Sequence, residues 1–316
     1  MVCIVFIPTL IFVAKISTLF INKENYLWLL ETLRGDVFNT HSESLNEHVQ
    51  LVKQVGKVLL TYLAITMTVF LSIVSLLPLF INMDLLIPLP YRFDKFESYY
   101  KLCHLFITGY LCINSACLDL LFLSMLGLCM AELNILEERL SNILPDTLGK
   151  YESETFNLEF LVEEYLVECI VLHDTINKYV QQLSVVLSFP LLTQYVCGSF
   201  VICYSVVQLT LMEQENTASV IKIMVYAGIT FFQMAAYHWL GNEITYKSNK
   251  IIESVYLSQW YQISKKSQKT LILLMERAKR PLTIQLYKLV IVSLDSLGVI
   301  IRWSYSIFAL IKARYS

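Results

Sequence analysis

Charged residues are scarce in this sequence of 316 residues. Only 16% of the residues are charged, whereas 56% are hydrophobic and the mean hydropathy is +0.58. Soluble domains carry roughly 25% charged and about 45–50% apolar residues. The composition therefore predicts a membrane protein. Because a bundle of long apolar helices can use the whole length as one unit, we expect a single transmembrane domain over residues 1–316.

Several signals of other protein classes are also missing. The net charge of −2 and the pI near 6.2 give no basic field for binding nucleic acid. The eight cysteines contain no C-x-x-C pair and fall mostly in apolar runs, so we interpret them as buried apolar residues rather than a disulfide framework or zinc site. No Gly/Ser-rich or Pro-rich linker and no internal repeat divides the chain.

The sequence also lacks the motifs of enzymes. It contains no G-x-S-x-G, no H-E-x-x-H, no P-loop and no Gly-rich dinucleotide turn. The five histidines are scattered, and adjacent acid pairs such as Glu163 and Glu164 are typical of a solvated helix face. We therefore predict no catalytic residue, no metal site and no cofactor.

Six segments are apolar enough to span a bilayer, which takes roughly 20 residues of helix. They are residues 1–21, 58–82, 99–130, 183–211, 220–240 and 287–311. A secretory signal is the alternative for residues 1–21, but no basic residue precedes the apolar stretch and no A-x-A-like cleavage site follows it. The sequence therefore predicts an all-α polytopic bundle with six visible spans.

The connections predict the orientation of the bundle. Segments 22–57, 131–182 and 242–286 hold most of the Lys and Arg residues, although they are also longer, and the densest basic run is Lys265–Arg280. The positive-inside tendency places these connections in the cytoplasm and the C-terminus outside. Within them we predict two amphipathic cytoplasmic helices, at about residues 154–182 and 255–280.

Two acids, Asp119 and Asp295, lie inside the predicted spans. A charge at bilayer depth costs at least about 2.5–3.5 kcal/mol on insertion scales. An ion path is one interpretation, but we favour a packing role through an interhelical hydrogen bond or protonation in place. Asp295 sits near the cytoplasmic end of its span, where water or Lys288 is within reach.

The final part of the chain contains five short elements in a fixed order. They are a W-Y pair at Trp260 and Tyr261, an apolar run Leu271–Met275, an R-A-x-R-P turn Arg277–Pro281, an S-L-[DE] element Ser293–Asp295 and an S-Y-S-x-F-A-L segment Ser304–Leu310. In this order of elements the chain resembles insect odorant receptors, especially those of ants and bees. Upstream, the segment EYLVECIVLHDTINKY around His173 and the proline-rich ends LLPLF and IPLP are also similar to the family. The resemblance thus covers nearly the whole chain.

This resemblance implies seven spans with an external C-terminus. If residues 1–21 correspond to the second span of the family, we expect this sequence to lack the N-terminal segment and the first span. It also implies an odour-gated, non-selective cation channel, a heterotetramer with the Orco co-receptor that binds a volatile odorant and needs no G protein. The expected location is the plasma membrane of olfactory sensory neurons. A gustatory receptor-type channel is the nearest alternative, and a secondary transporter is a more distant one because no repeat with paired broken helices is visible.

Family analogy also suggests site residues. An odorant pocket is expected to be apolar and aromatic with few polar groups. The candidates for it are Phe70, Ile73, Val74, Leu77, His104, Thr108, Tyr110, Tyr226 and Thr230. A stripe at three- and four-residue steps along the last helix predicts the pore and gate, formed by Trp303, Ile307, Leu310 and Arg314.

Overall fold

A computed structural model describes residues 2–35, 97–144, 158–211 and 217–315, together with Phe38, Thr61 and residues 56–57. The helices are α1 (Val2–Ile21), α2 (Lys23–Arg34), α3 (Glu97–Ser141), α4 (Leu158–Leu211), α5 (Thr217–Leu257), α6 (Lys265–Ala278) and α7 (Leu294–Tyr315). A 3₁₀ turn at Trp260–Gln262 and two short strands, β1 (Gln285–Leu286) and β2 (Val290–Ile291), complete the described elements. The all-α fold class is confirmed.

The predicted spans fall on these helices with one correction. Segments 1–21, 99–130, 183–211 and 220–240 lie on α1, α3, α4 and α5, whereas 58–82 lies outside the described residues apart from Thr61. Among the described residues, Gly109–Ser141 and Glu159–Gln208 are long and apolar enough to cross a membrane, and Ile7–Ile21 is a shorter apolar helix. The segment 287–311 is helical only from Leu294 onward.

A hairpin occupies the start of that last segment. Strands β1 and β2 pair antiparallel, with Gln285 opposite Ile291 and Leu286 opposite Val290. In the turn between them, Tyr287 and Lys288 have positive φ angles of 49° and 59°, a conformation that residues other than Gly rarely adopt and that a helix cannot contain. The turn therefore delays the start of α7.

Helix α4 is the centre of the bundle. It contacts α1, α2, α3, α5, α6, α7 and β1, while α3 packs most extensively against α5. At 54 residues it is about 80 Å long, far more than the roughly 30 Å of bilayer hydrocarbon. The predicted amphipathic helix at 154–182 and the predicted span at 183–211 thus form one continuous helix from Leu158.

Helix α6 lies against the N-terminal half of α4. Ser264 caps it, accepting a hydrogen bond from the backbone N–H of Ser267 at 3.2 Å. Its buried face repeats at helical spacing and consists of Ser267, Leu271, Leu274, Met275 and Ala278. On its outer side Lys266 donates to the Glu163 carboxylate of α4 at 2.7 Å, and this bond raises the pKa of Lys266. The helix predicted at 255–280 is divided in the structure, because α5 ends at Leu257 and α6 begins at Lys265.

Candidate functional site

A cavity of about 90 Å³ lies between α1, α3, α4 and α5. Its walls are mostly apolar and are formed by Ile7, Pro8, Ile11, Lys15, Leu111, Cys112, Ser115, Gln194, Val201, Tyr226, Ile229, Thr230 and Gln233. Small side chains such as Cys112 and Ser115 leave the space open where the four helices meet. An apolar lining with few polar groups suits a mostly apolar ligand, but the volume is below the range of about 300–1,000 Å³ typical of small-molecule sites, so only a very small ligand fits unless the helices move apart.

A buried ion pair lies beside this cavity, and one of its two members, Lys15, lines the wall. Lys15 on α1 lies with its Nζ 2.5 Å from the Oδ1 of Asp119 on α3, and both side chains are 1% exposed. The Tyr237 hydroxyl on α5 donates to the same oxygen at 2.7 Å, and Gln233 donates to Oδ2 at 3.5 Å. Asp119 therefore joins three helices, which confirms its predicted role as an interhelical contact. The pair compensates two charges that would be costly alone at this depth.

The side chain of Gln194 is the most unusual group in the cavity wall. It is 1% exposed, and neither its Nε2 nor its Oε1 has a hydrogen-bond partner among the described residues. Each buried polar atom without a partner costs about 1–3 kcal/mol. By contrast, the nearby Thr230 hydroxyl is satisfied, because it donates to the Tyr226 carbonyl one turn earlier at 2.9 Å. Gln194 is thus positioned to accept from, or donate to, a ligand.

The sequence-derived pocket residues are distributed unevenly around this cavity. Tyr226 and Thr230 line it, whereas Tyr110 is 66% exposed on α3 and is not among its walls. His104 and Thr108 lie on α3, but their side chains are outside the described part of the structure. The remaining candidates, Phe70, Ile73, Val74 and Leu77, lie outside the described residues.

Sequence reasoning missed the polar groups of the site. Lys15 is one basic residue late in the apolar segment 1–21, and Gln194 is one polar residue within a long apolar run. The signal that was available is their rarity, because a polar side chain in the middle of a span is functional or packed against a partner. Which partner it meets depends on how the helices pack.

The predicted gate stripe lies on α7. Trp303 is 67% exposed and Leu310 is 72% exposed, while Ser304 turns inward and donates to the Ile300 carbonyl at 3.0 Å. Ile307 and Arg314 lie on the same helix, but their side chains are outside the described part. Large apolar side chains are thus exposed at this end of α7.

Apolar side chains also remain exposed on the N-terminal half of α4. Phe160, Val167 and Val171 are 58%, 57% and 46% exposed, and their spacing places them along one face. Leu273 on α6 is 71% exposed. These residues precede the span predicted at 183–211, but they belong to the segment Glu159–Gln208 that is long and apolar enough to cross a membrane.

Comparison with known proteins connects these features to one family. The sequence model of the 7tm odorant receptor family matches residues 1–305. Odorant receptor 42a of Drosophila melanogaster is 24% identical over 201 residues, which are 64% of this chain and 47% of that protein. Odorant receptor Or2 of Anopheles gambiae is 26% identical over 211 residues, or 66% of this chain and 55% of that protein. The chain spans about half the length of these relatives.

The fold comparison shows that the helical fold is shared with a solved structure. The structure of the insect olfactory receptor OR5 from Machilis hrabei in complex with eugenol is similar with a TM-score of 0.83 and 14% identity. The match covers 98% of this chain and 80% of that one. The shared helical fold therefore extends over almost the entire chain.

Proposed function

Because the chain belongs to the insect 7tm odorant receptor family, we propose that it is the odorant-binding subunit of an odour-gated, non-selective cation channel. It acts with the Orco co-receptor in olfactory transduction, in the plasma membrane of olfactory sensory neurons. Residues 1–316 form one transmembrane domain of this subunit. No catalytic step is part of this function.

The observation that carries this proposal is the cavity between α1, α3, α4 and α5. It is mostly apolar and has one unsatisfied amide, that of Gln194, in its wall. A volatile molecule offers much apolar surface and few polar atoms, so this combination matches its chemistry. The similar OR5 structure is a complex with eugenol.

Helix α4 gives a direct physical connection from the cavity to α7. Gln194 lies on the cavity side of Pro190, and Ser188 lies on the other side within two helical turns of Gln194. The Ser188 hydroxyl accepts the backbone N–H of Tyr287 at 3.1 Å, which holds the hairpin that precedes α7. Pro190 has no N–H for the Val186 carbonyl, so the helix is more easily bent at this point. A ligand that shifts α4 thereby moves the base of α7.

Helix α5 also packs closely against the end of the hairpin. A Cβ at Gly241 would lie 2.5 Å from the Val292 carbonyl oxygen, so only glycine permits this contact. Helices α4 and α5, which both line the cavity, therefore also hold the segment that leads into the pore helix. Binding and gating share the same two helices.

The partner requirement rests on the exposed apolar surfaces. The face of Phe160, Val167 and Val171 lies on the predicted cytoplasmic part of α4, and Leu310 is exposed on α7. A tetramer with Orco covers both surfaces and brings four α7 helices around one axis. The apolar side chains at Leu310 then form the gate.

Expression of the full chain with and without Orco tests this proposal. Odour-evoked cation current is expected only when both are present, with a volatile panel as stimulus. An epitope tag after Ser316 is expected to be stained on unpermeabilised cells, because the C-terminus lies outside. Robust odour-evoked current from the chain alone contradicts the requirement for Orco, and a tag that stains only after permeabilisation contradicts the topology.

A further inference from the structure

A second, larger cavity of about 880 Å³ lies beside the middle of α4, on the N-terminal side of Pro190. It is bounded by residues 173–188 of α4 and by the segment from Arg277 through the hairpin to Lys288. The predicted span of α4 begins at residue 183, so in the proposed topology the cavity lies at the cytoplasmic boundary of the membrane. Its volume falls within the range of about 300–1,000 Å³ typical of small-molecule sites.

The charges around this cavity are of one sign. Arg277, Arg280 and Lys288 line it, and none of its described lining residues carries a carboxylate. Arg277 is paired with Asp174 just outside the wall at 2.5 Å. Among the described residues, Arg280 and Lys288 form no ion pair. Two uncompensated cations therefore face a space large enough for a phosphorylated sugar ring.

Neutral donors complete the lining. Asn177 and Gln181 lie on the α4 side, where the Gln181 Nε2 also donates to the Asn177 Oδ1, and Thr283 lies on the opposite wall. The Ser184 hydroxyl also lines the cavity but already donates to the Val180 carbonyl. Side-chain amides and hydroxyls beside arginine and lysine are the groups that bind phosphate oxygens. This lining differs from that of the odorant cavity, whose walls are mostly apolar.

Backbone strain is concentrated at the same cavity. Tyr287 and Lys288 line it and are the non-glycine residues with positive φ in the described structure. Each such residue costs of the order of 1–3 kcal/mol, and strain of this kind is retained where the surroundings or a function require the conformation. The strained turn places the Lys288 side chain at the cavity.

We propose that this cavity binds the headgroup of an anionic phospholipid of the cytoplasmic leaflet, one that carries phosphomonoester groups. Basic pockets between membrane helices on the cytoplasmic side are suited to such headgroups, and the cytoplasmic leaflet supplies the anionic lipids. A lipid is favoured over a soluble phosphate because the cavity adjoins the start of an apolar span, where acyl chains have a place to lie. Since the cavity wall includes the hairpin before α7, the bound headgroup also stabilises the base of the pore helix.

The test uses the purified complex of the full chain with Orco and dioctanoyl phosphatidylinositol bisphosphate as the probe. Arg280→Gln/Lys288→Gly is expected to weaken binding roughly 30-fold, since each basic residue near an anionic lipid surface contributes about fivefold. The matched control is Lys265→Gln/Lys269→Gln, which removes the same charge from exposed positions on α6 that do not line the cavity. The control is expected to bind within about twofold of wild type, and Orco contributes the same background to every complex.

Lys288→Gly alone separates binding from folding. Glycine relieves the positive φ, so this variant is expected to raise the Tm of the complex while weakening lipid binding about fivefold. A folding defect instead lowers both the Tm and the affinity for the lipid. Equal loss of binding in the double variant and its lysine control overturns the site. Equal affinity for dioctanoyl phosphatidylcholine, or for free inositol trisphosphate, overturns the assignment to an anionic lipid headgroup.

Discussion

Replacing Gln194 by leucine tests how the cavity recognises its ligand. The amide has no partner among the described residues, so a ligand oxygen that bonds to it gains a net hydrogen bond of about 0.5–1.5 kcal/mol. Gln194→Leu keeps a similar volume but removes that bond. The half-maximal concentration of an oxygenated odorant is therefore expected to rise about 2- to 13-fold. A hydrocarbon odorant of the same carbon skeleton is expected to be unaffected or slightly more potent.

The assay is odour-evoked current in cells that express the chain with Orco, with paired oxygenated and hydrocarbon volatiles. Thr230→Val is the matched control, because the Thr230 hydroxyl already donates to the Tyr226 carbonyl and lines the same cavity. It is expected to shift both members of each pair equally. If Gln194→Leu shifts both members equally, or if Thr230→Val reproduces its selectivity change, the amide does not contact the ligand.

Three further substitutions test the rest of the account. Asp119→Asn leaves the buried Lys15 ammonium uncompensated and is expected to lower the free energy of unfolding by about 3–5 kcal/mol, which is followed as a fall in Tm. The double variant Lys15→Met/Asp119→Leu is expected to recover most of this loss, because neither charge remains. An unchanged Tm in Asp119→Asn contradicts the ion pair. Leu310→Asp is expected to raise resting current per surface protein relative to Ala309→Asp, and equal currents show that Leu310 is not at the gate. Ser188→Ala removes the acceptor that holds the hairpin and is expected to reduce the maximal odour-evoked current at unchanged surface level; an unchanged maximum argues against coupling through α4.

The helical class and most helix positions could be predicted because the lengths of the apolar segments can be counted in the sequence. Helix α4 shows the limit of this approach. The amphipathic stretch before residue 183 and the apolar stretch after it were predicted as separate elements because their patterns differ, but both belong to one continuous helix. The hairpin before α7 could not be predicted. Its strands contain only two residues each, and its turn uses Tyr287 and Lys288 rather than the Asn-Gly or Gly residues that mark such turns.

The candidate site was only partly predictable for a related reason. Tyr226 and Thr230, two of the residues predicted for an odorant pocket, line the cavity, but their contact with a ligand stays a prediction. The pairing of Lys15 with Asp119 was not, because helices that are apolar on all sides carry no periodic signal for the face that packs inward. Asp119 was expected to bond between helices, but its partner lies on α1, far away in the sequence.

The central claim is that an odorant occupies the cavity between α1, α3, α4 and α5, and filling that cavity tests it most directly. Ser115→Phe places a benzyl group in the cavity wall, whereas Cys117→Phe places the same group on an exposed position of the same helix. With Orco present and surface levels matched, Ser115→Phe is expected to abolish the odour-evoked current or lower odorant potency at least tenfold, and Cys117→Phe is expected to respond like wild type. An odour response of Ser115→Phe that equals that of wild type would contradict the claim that this cavity holds the ligand.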